Sequence, residues 1–336
     1  MSTASREIAS VLATISLPDE YFDKMVAAFA PASVIRTTPD DAAGIARALR
    51  TVDVAVLDSD LDRRYLDAPN LRWVHCGHSG LTRSAMPEVF ERGLIVTGTA
   101  GRSGPALAQH AFFFALSLTF DGPGLYQMQK ENAWRGLAGY DQRLSLWGKT
   151  LGVIGFGHTG SEVAALGKAF GMRVLAYRRQ DTPAPPTVDT LYSAQRGDTV
   201  DELIRECDVL VLATHLSDET YHLIGARELG MMKPTSYVIN MARGSVIDEP
   251  ALVAALESGT IAGAGLDVFE EEPLPADAAI RRAPNTIITS HQTPALPDKA
   301  QRTLDVILTN IERYRAREPM VNLMKPSDVY TRPVRH

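Results

Sequence analysis

Residues 151–179 narrow what this chain can fold into more than any other stretch. An apolar run, Leu151-Gly-Val-Ile, leads into Gly155, Gly157 and Gly160 at the spacing G-x-G-x-x-G. An Ala- and Leu-rich segment follows to Gly167, and a second apolar run, Met172-Arg-Val-Leu-Ala-Tyr177, closes the unit. This reads as strand, tight turn, helix and parallel strand, the context in which a glycine triplet binds a dinucleotide. Gly155 permits the turn, Gly157 lets the backbone approach a pyrophosphate, and Gly160 allows close packing of helix on strand. The helix start then offers free N–H groups and a positive dipole end to the phosphates. Candidate contacts in the turn are Gly155, Phe156, Gly157, His158, Thr159 and Gly160. At the end of the second strand, where an NAD site usually carries Asp or Glu, stand Tyr177, Arg178 and Arg179. A carboxylate there would repel a 2′-phosphate, whereas a guanidinium can grip it with two parallel bonds. The expected cofactor is therefore NADP, preferred over NAD, which stays possible; the alternative for the arginines is a solvated strand end.

At 336 residues the chain is too long for one ordinary core and fits two domains. The apolar stretch near residues 111–118 is far too short to cross a bilayer, and the start lacks the pattern of a secretory signal. A net charge of −6 gives no general attraction to nucleic acid or to an anionic membrane. Two cysteines, Cys76 and Cys207, suggest neither a disulfide framework nor a metal site, and the expected compartment is the cytoplasm.

Before the glycine motif, Asp53-Val-Ala-Val-Leu57, Leu71-Arg-Trp-Val-His75 and Leu94-Ile-Val-Thr97 read as strands, and residues 19–29 and 39–49 as helices. That alternation predicts a separate α/β domain. Two of its strands run into turns rich in Gly and Ser, residues 77–80 and 98–104. Such turns either hold a ligand carboxylate through backbone N–H groups or are plain turn chemistry. A long apolar helix follows from Ala106, with His110 read as a capped or core histidine. Residues 121–147 are looser and carry Trp134 and Trp147, which suggests an interaction arm and a homodimer. After the motif, helices are expected at 200–205, 219–231 and 249–258, and strands at 208–213, 236–240, 261–268 and 286–290. The closing helix, 299–315, is expected to return to the first domain because the second sheet is complete by Ser290.

The last three of those strands end in loops at the carboxyl edge of the sheet, where the nicotinamide should lie. They carry Arg243, Glu272 and His291. Arginine can fix a substrate carboxylate and polarise a carbonyl, histidine can give and take a proton near neutrality, and a neighbouring carboxylate favours the imidazolium. Singly, each has a plainer reading as surface pair, solvated acidic turn or capping residue. Together they make a hydride-transfer site.

Here the chain resembles the D-isomer-specific 2-hydroxyacid dehydrogenase family, of the glyoxylate or hydroxypyruvate reductase kind, over nearly its whole length. The matching segments are Gly148-Lys-Thr-Leu-Gly-Val-Ile-Gly155-Phe-Gly157-His-Thr-Gly160, Met232-Lys-Pro-Thr-Ser-Tyr-Val-Ile-Asn-Met-Ala-Arg243-Gly, Gly265-Leu-Asp267-Val-Phe-Glu-Glu-Glu272-Pro-Leu-Pro and the late His291. The resemblance implies Arg243 as substrate anchor, Glu272 as the partner of His291, and His291 as acid in reduction and base in oxidation. It implies Asp267 on the nicotinamide carboxamide. Further candidate cofactor contacts are Thr214, His215, Met241 and Ala242. The substrate would lie on His78, Ser79 and Gly80 as well as Arg243 and His291. The implied architecture is two Rossmann-like doubly wound domains. A substrate domain of residues 1–106 and 297–336 is interrupted by a cofactor domain, 107–296, whose 107–147 region builds a dimer. Gln292-Thr293 after the histidine, Thr82 after the loop glycine, and Thr214-His215-Leu216 depart from the usual family pattern and bear on pocket lining and cofactor contacts. Glu272 stands where a formate-oxidising branch has Gln. The expected activity is NAD(P)H-dependent reduction of a small 2-keto acid to the D-2-hydroxy acid, without metal, nucleic acid or membrane. Rival expectations are a nucleotide-sensing corepressor-like protein, or a dehydrogenase for a bulkier or phosphorylated acid with Arg83 and Arg102 as candidate phosphate contacts.

Overall fold

The computed structural model describes residues 6–134, 136–137 and 139–333. It divides into two compact units. One gathers the chain up to Ser103 together with Ala295–Arg332, and the other is Gly104–Pro294.

In the first unit, β1 (Ser10–Ala13), β2 (Ser33–Arg36), β3 (Val54–Leu57), β4 (Trp73–Cys76) and β5 (Ile95–Gly98) form a parallel sheet in the order β2-β1-β3-β4-β5. β3 and β4 are buried along their whole length, as strands covered on both faces must be, and appear in the sequence as unbroken apolar runs. β2 is an edge strand that buries none of its residues, so no pattern marks it in the sequence. The helix expected at 39–49 begins only at Ala42, because the Asp41 side chain accepts from the Gly44 N–H and caps it there. The closing helix Lys299–Ala316 lays Leu304, Ile307, Ile311 and Tyr314 against Phe22, Met25, Phe29 and Trp73 of this unit. The Trp73 and Tyr314 rings stack at 5.2 Å.

In the second unit, β6 (Thr150–Ile154), β7 (Arg173–Arg178), β8 (Thr190–Ser193), β9 (Val209–Leu212), β10 (Tyr237–Asn240), β11 (Gly263–Leu266) and β12 (Thr286–Ile288) form a parallel sheet ordered β12-β11-β10-β9-β6-β7-β8. Both units are thus doubly wound. The order reverses between β6 and β9, the switch point outside which open α/β sheets bind ligands. The Gly104–Thr119 helix packs close to this sheet because β11 is glycine-rich. A Cβ on Gly265 would lie 2.5 Å from Phe114 side-chain atoms.

Two expectations are corrected here. Of the helix expected at 219–231 only Ala226–Met231 forms. The Thr220 hydroxyl binds the His215 carbonyl and accepts from the Ser217 N–H, and His222 adopts a left-handed φ of 49°, so the chain turns instead. Conversely, the looser 121–147 segment contains a helix, Gly122–Lys130, capped by Asp121. It buries no residue, which is why the sequence shows no apolar period there. Trp134 is fully exposed, and Trp147, Leu144 and Tyr126 are largely so. Among the described residues no helix is long and apolar enough to cross a membrane.

Candidate active site

The turn after β6 shows what each glycine does. Gly155 has φ +96°, and a Cβ there would lie 2.4 Å from the Thr214 nitrogen, so the loops following β6 and β9 touch at the switch point. A Cβ on Gly160 would lie 2.2 Å from the Gly155 carbonyl oxygen. A Cβ on Gly157 would meet nothing within 4 Å: the space beside it is open. The His158–Ala169 helix starts at Gly157 without a side-chain cap, and its positive dipole end faces the turn. An open cradle ending in an uncapped helix fits a dinucleotide's pyrophosphate.

At the end of β7, Tyr177, Arg178 and Arg179 are half-buried, and the Tyr177 carbonyl accepts from the Gly155 and Phe156 N–H groups. Burial, then the charges of Asp198 and Glu219, push the Tyr177 phenol up. Arg178 donates to the Thr182 hydroxyl at 2.8 Å. The Arg179 guanidinium lies 3.3 Å from the Glu219 carboxylate and 3.3 Å from Nε2 of the exposed His215.

The loops after β10, β11 and β12 bring together the residues for proton chemistry. Asn240 braces the first: its side-chain oxygen accepts from the Ala242 N–H and its amide donates to the Arg243 carbonyl. A Cβ on Gly244 would lie 1.8 Å from the Phe269 carbonyl carbon, so the Arg243 and Glu272 loops press directly on each other. Buried Met241 and Ala242 line the same turn. The Glu272 carboxylate accepts from the Phe269 N–H at 2.9 Å through Oε1 and from His291 Nδ1 at 2.7 Å through Oε2. With Nδ1 engaged, Nε2 is the ring atom left to exchange a proton. His291 has a left-handed φ of 53°, and its N–H donates to the Asp267 carbonyl. Burial alone would raise the Glu272 carboxyl; the hydrogen bond from His291, that from Phe269 and the positive charges of His291 and Arg243 outweigh it and hold the group below its ordinary value. Glu272→Gln removes the carboxylate that holds His291 Nδ1, so kcat for reduction is expected to fall by roughly tenfold or more with little change in cofactor affinity. Unchanged kcat would count against the pair.

His110 is buried, as a core histidine would be, yet it has partners that only the fold supplies. Its Nδ1 lies 2.8 Å from the Thr293 hydroxyl and its Nε2 lies 3.3 Å from that of Thr289. Thr289 in turn donates to Asp267 Oδ1 at 2.5 Å, and the same oxygen accepts from the Gln292 N–H. No sequence signal marks this cluster, because His110 precedes those threonines by 179 and 183 residues.

In the first unit, residues 77–80 follow β4. The loop is tied down by the Thr99 N–H on the His78 carbonyl and by the Ser79 hydroxyl on the Thr99 carbonyl. His78 Nε2 lies 3.7 Å from Asp60, and Ser79 is exposed. Beneath the loop, buried His75 is bonded to Thr97 and Thr99; burial, with the charges of His78 and Arg102, takes its imidazole down to about 3. Arg102 is half-buried, with burial pulling its guanidinium down against the Asp58 charge, and Arg83 is exposed. Among the described residues no three His, Cys, Asp or Glu side chains cluster to hold a metal.

Comparison with known proteins agrees with this architecture. The model of the NAD binding domain of D-isomer specific 2-hydroxyacid dehydrogenases matches residues 112–293. A glyoxylate reductase of Thermococcus litoralis is 33% identical over 84% of this chain and 86% of its own. One of Thermococcus gammatolerans is 41% identical over 67% of this chain and 69% of its own. A crystal structure of a D-isomer specific 2-hydroxyacid dehydrogenase from Xanthobacter autotrophicus, in complex with NADPH and MES, superposes with a TM-score of 0.77 at 25% identity, over 96% of this chain and 99% of that one. With two doubly wound sheets, an open glycine cradle and a paired histidine and glutamate at the sheet's carboxyl edge, this chain belongs to the D-isomer specific 2-hydroxyacid dehydrogenase family and is an oxidoreductase.

Proposed function

We propose that the protein reduces a small 2-keto acid, of the glyoxylate or hydroxypyruvate class, to the D-2-hydroxy acid, with NADPH preferred over NADH. The observation that carries this reading is the 2.7 Å pair between Glu272 and His291 Nδ1, on loops next to the one holding Arg243. When bound, the nicotinamide cofactor supplies the hydride that reaches the carbonyl carbon. Arg243 holds the substrate carboxylate and polarises the ketone, and the backbone N–H groups of His78, Ser79 and Gly80 are further substrate contacts. His291 Nε2 gives its proton to the carbonyl oxygen. Glu272 stabilises the imidazolium beforehand and keeps the ring oriented.

The cofactor is held by Gly155, Phe156, Gly157, His158, Thr159 and Gly160 at the pyrophosphate. Tyr177, Arg178, Arg179, Thr214 and His215 serve the adenosine end, and Met241, Ala242 and Asp267 the nicotinamide end. Arg178 and Arg179 support NADPH, as two guanidinium groups where an NAD site has a carboxylate. Arg178→Gln with Arg179→Gln is expected to raise KM for NADPH roughly ten- to a hundredfold, the cost of losing charge-assisted bonds, and to leave KM for NADH within about twofold. Equal losses would sink the 2′-phosphate assignment. The exposed Trp134, Trp147, Leu144 and Tyr126 support a homodimer built on residues 107–147, and two buried, unpaired cysteines support the cytoplasm. The test of the activity is oxidation of NADPH and NADH, followed by absorbance, with glyoxylate, hydroxypyruvate, pyruvate and phenylpyruvate. Turnover fastest with NADPH and one of these acids supports the reading. Cofactor binding without turnover on any of them favours the nucleotide-sensing alternative.

A further inference from the structure

We infer that His110, as its Nε2–H tautomer, is a positioning residue that fixes both the turn carrying His291 and the carboxylate of Asp267. The direction of every bond in the cluster follows from one observation. The Thr289 hydroxyl has a single proton, and at 2.5 Å that proton is committed to Asp267 Oδ1. Thr289 must therefore accept from His110, which puts a proton on Nε2. A neutral imidazole then has an acceptor at Nδ1, and the Thr293 hydroxyl, 2.8 Å away, is the donor that meets it. Burial favours this neutral form, against the opposing pull of the Asp267 charge. The result is a one-way chain from Thr293 through His110 and Thr289 to Asp267.

Four features make the chain a device for the site and not only core packing. It spans the catalytic histidine: Thr289 and Thr293 lie on either side of His291, and both hydroxyls are tied to one ring. That ring cannot drift, because it stacks on Phe114 at 4.7 Å and sits in the wall of the unit with 7% of its surface exposed. The turn it holds needs holding, since His291 is in the left-handed region that residues other than glycine seldom adopt. The chain also loads Asp267 asymmetrically. The Thr289 hydroxyl and the Gln292 N–H both fall on Oδ1, so Oδ2 is the oxygen turned over to a further donor. On the reading proposed above, which this inference rests on, that donor is the nicotinamide carboxamide.

The tautomer is read directly by histidine ¹⁵N–¹H correlation spectra of the full-length protein at neutral pH, with the His110 signals assigned by their loss in His110→Gln. The Nε2–H pattern is expected; an Nδ1–H pattern or an imidazolium would overturn the inference. The functional arm compares binding of NADPH with that of an analogue whose carboxamide is replaced by acetyl, which keeps the carbonyl and loses the N–H donors. Wild type is expected to prefer NADPH. In His110→Phe, which keeps the ring on Phe114 but takes the acceptor from the Thr293 hydroxyl and the donor from the Thr289 hydroxyl, that preference should fall roughly tenfold or more, with kcat falling while KM for the keto acid changes little. His110→Gln, which again offers one donor and one acceptor, should restore part of both. Thr293→Val, which deletes only the hydroxyl, should act in the same direction if the Phe variant does not fold. Unchanged preference and unchanged kcat in His110→Phe or Thr293→Val would overturn the positioning role. A wild type that binds both cofactors equally would remove the carboxamide from Asp267, a failure of the proposed site; the tautomer spectrum decides the chain independently.

Discussion

His291→Ala is expected to lower kcat for reduction by roughly two to four orders of magnitude, the range that a positioned general acid supplies, while NADPH binds with nearly wild-type affinity. The reasons are local. The His291 side chain is half-exposed, so its removal opens no cavity in a core. Its backbone N–H bond to Asp267 does not depend on the side chain and survives the change. The proposed pyrophosphate cradle at Gly155, Gly157 and Gly160 lies on a different loop, the one after β6. The left-handed φ of 53° disfavours alanine, and His291→Asn is the control, because asparagine tolerates that conformation and cannot serve as a proton donor of comparable strength. Comparable losses in both variants would assign the effect to the missing imidazole. Near-normal turnover in either would remove His291 from the proton step.

Arg243→Ala is the second large effect, with kcat/KM expected to fall by roughly two to three orders of magnitude, as when a donor to a developing oxyanion is deleted. Arg243 has an extended backbone, φ −145°, that alanine adopts without strain. The turn around it is held by Asn240 through the Arg243 carbonyl and the Ala242 N–H, neither of which the substitution touches. A loss of activity with an unchanged melting temperature therefore reads as loss of the guanidinium. Arg243→Lys should recover little, because one ammonium cannot reproduce a planar two-pronged grip on a carboxylate. Full recovery with lysine would leave Arg243 as a point charge only.

Much of this architecture is legible in the sequence because buried parallel strands leave unbroken apolar runs. Asp208-Val-Leu-Val-Leu and Ser236-Tyr-Val-Ile-Asn mark β9 and β10 within a residue of their ends. Two glycines of the triplet are legible for the same kind of reason: a Cβ on Gly155 or Gly160 would lie 2.2–2.4 Å from backbone atoms, which dictates residue type. Besides β1 and β8, four residues each and too short to stand out, what escapes the sequence depends on exposure or on distance along the chain. β2 and the Gly122–Lys130 helix bury no residue and carry no period. The turn at residues 217–223 replaces a helix through hydroxyl-to-backbone bonds that compete with it. Arg243, Glu272 and His291 can be singled out because each follows a strand at the same edge. His110 cannot, because its partners lie across the chain on the loop after β12. The pairing of Arg179 with Glu219 is equally hidden, since Glu219 lies in that turn.

The measurement that tests the central claim most directly is the configuration of the product. Hydroxypyruvate or phenylpyruvate, reduced with NADPH deuterated at the transferring position of C4, is separated on a chiral phase and analysed by mass. The account requires the D-2-hydroxy acid carrying one deuterium at C2, formed by the wild type and lost in His291→Ala. An L-product, a product without deuterium, or equal yield from the His291 variant would contradict it.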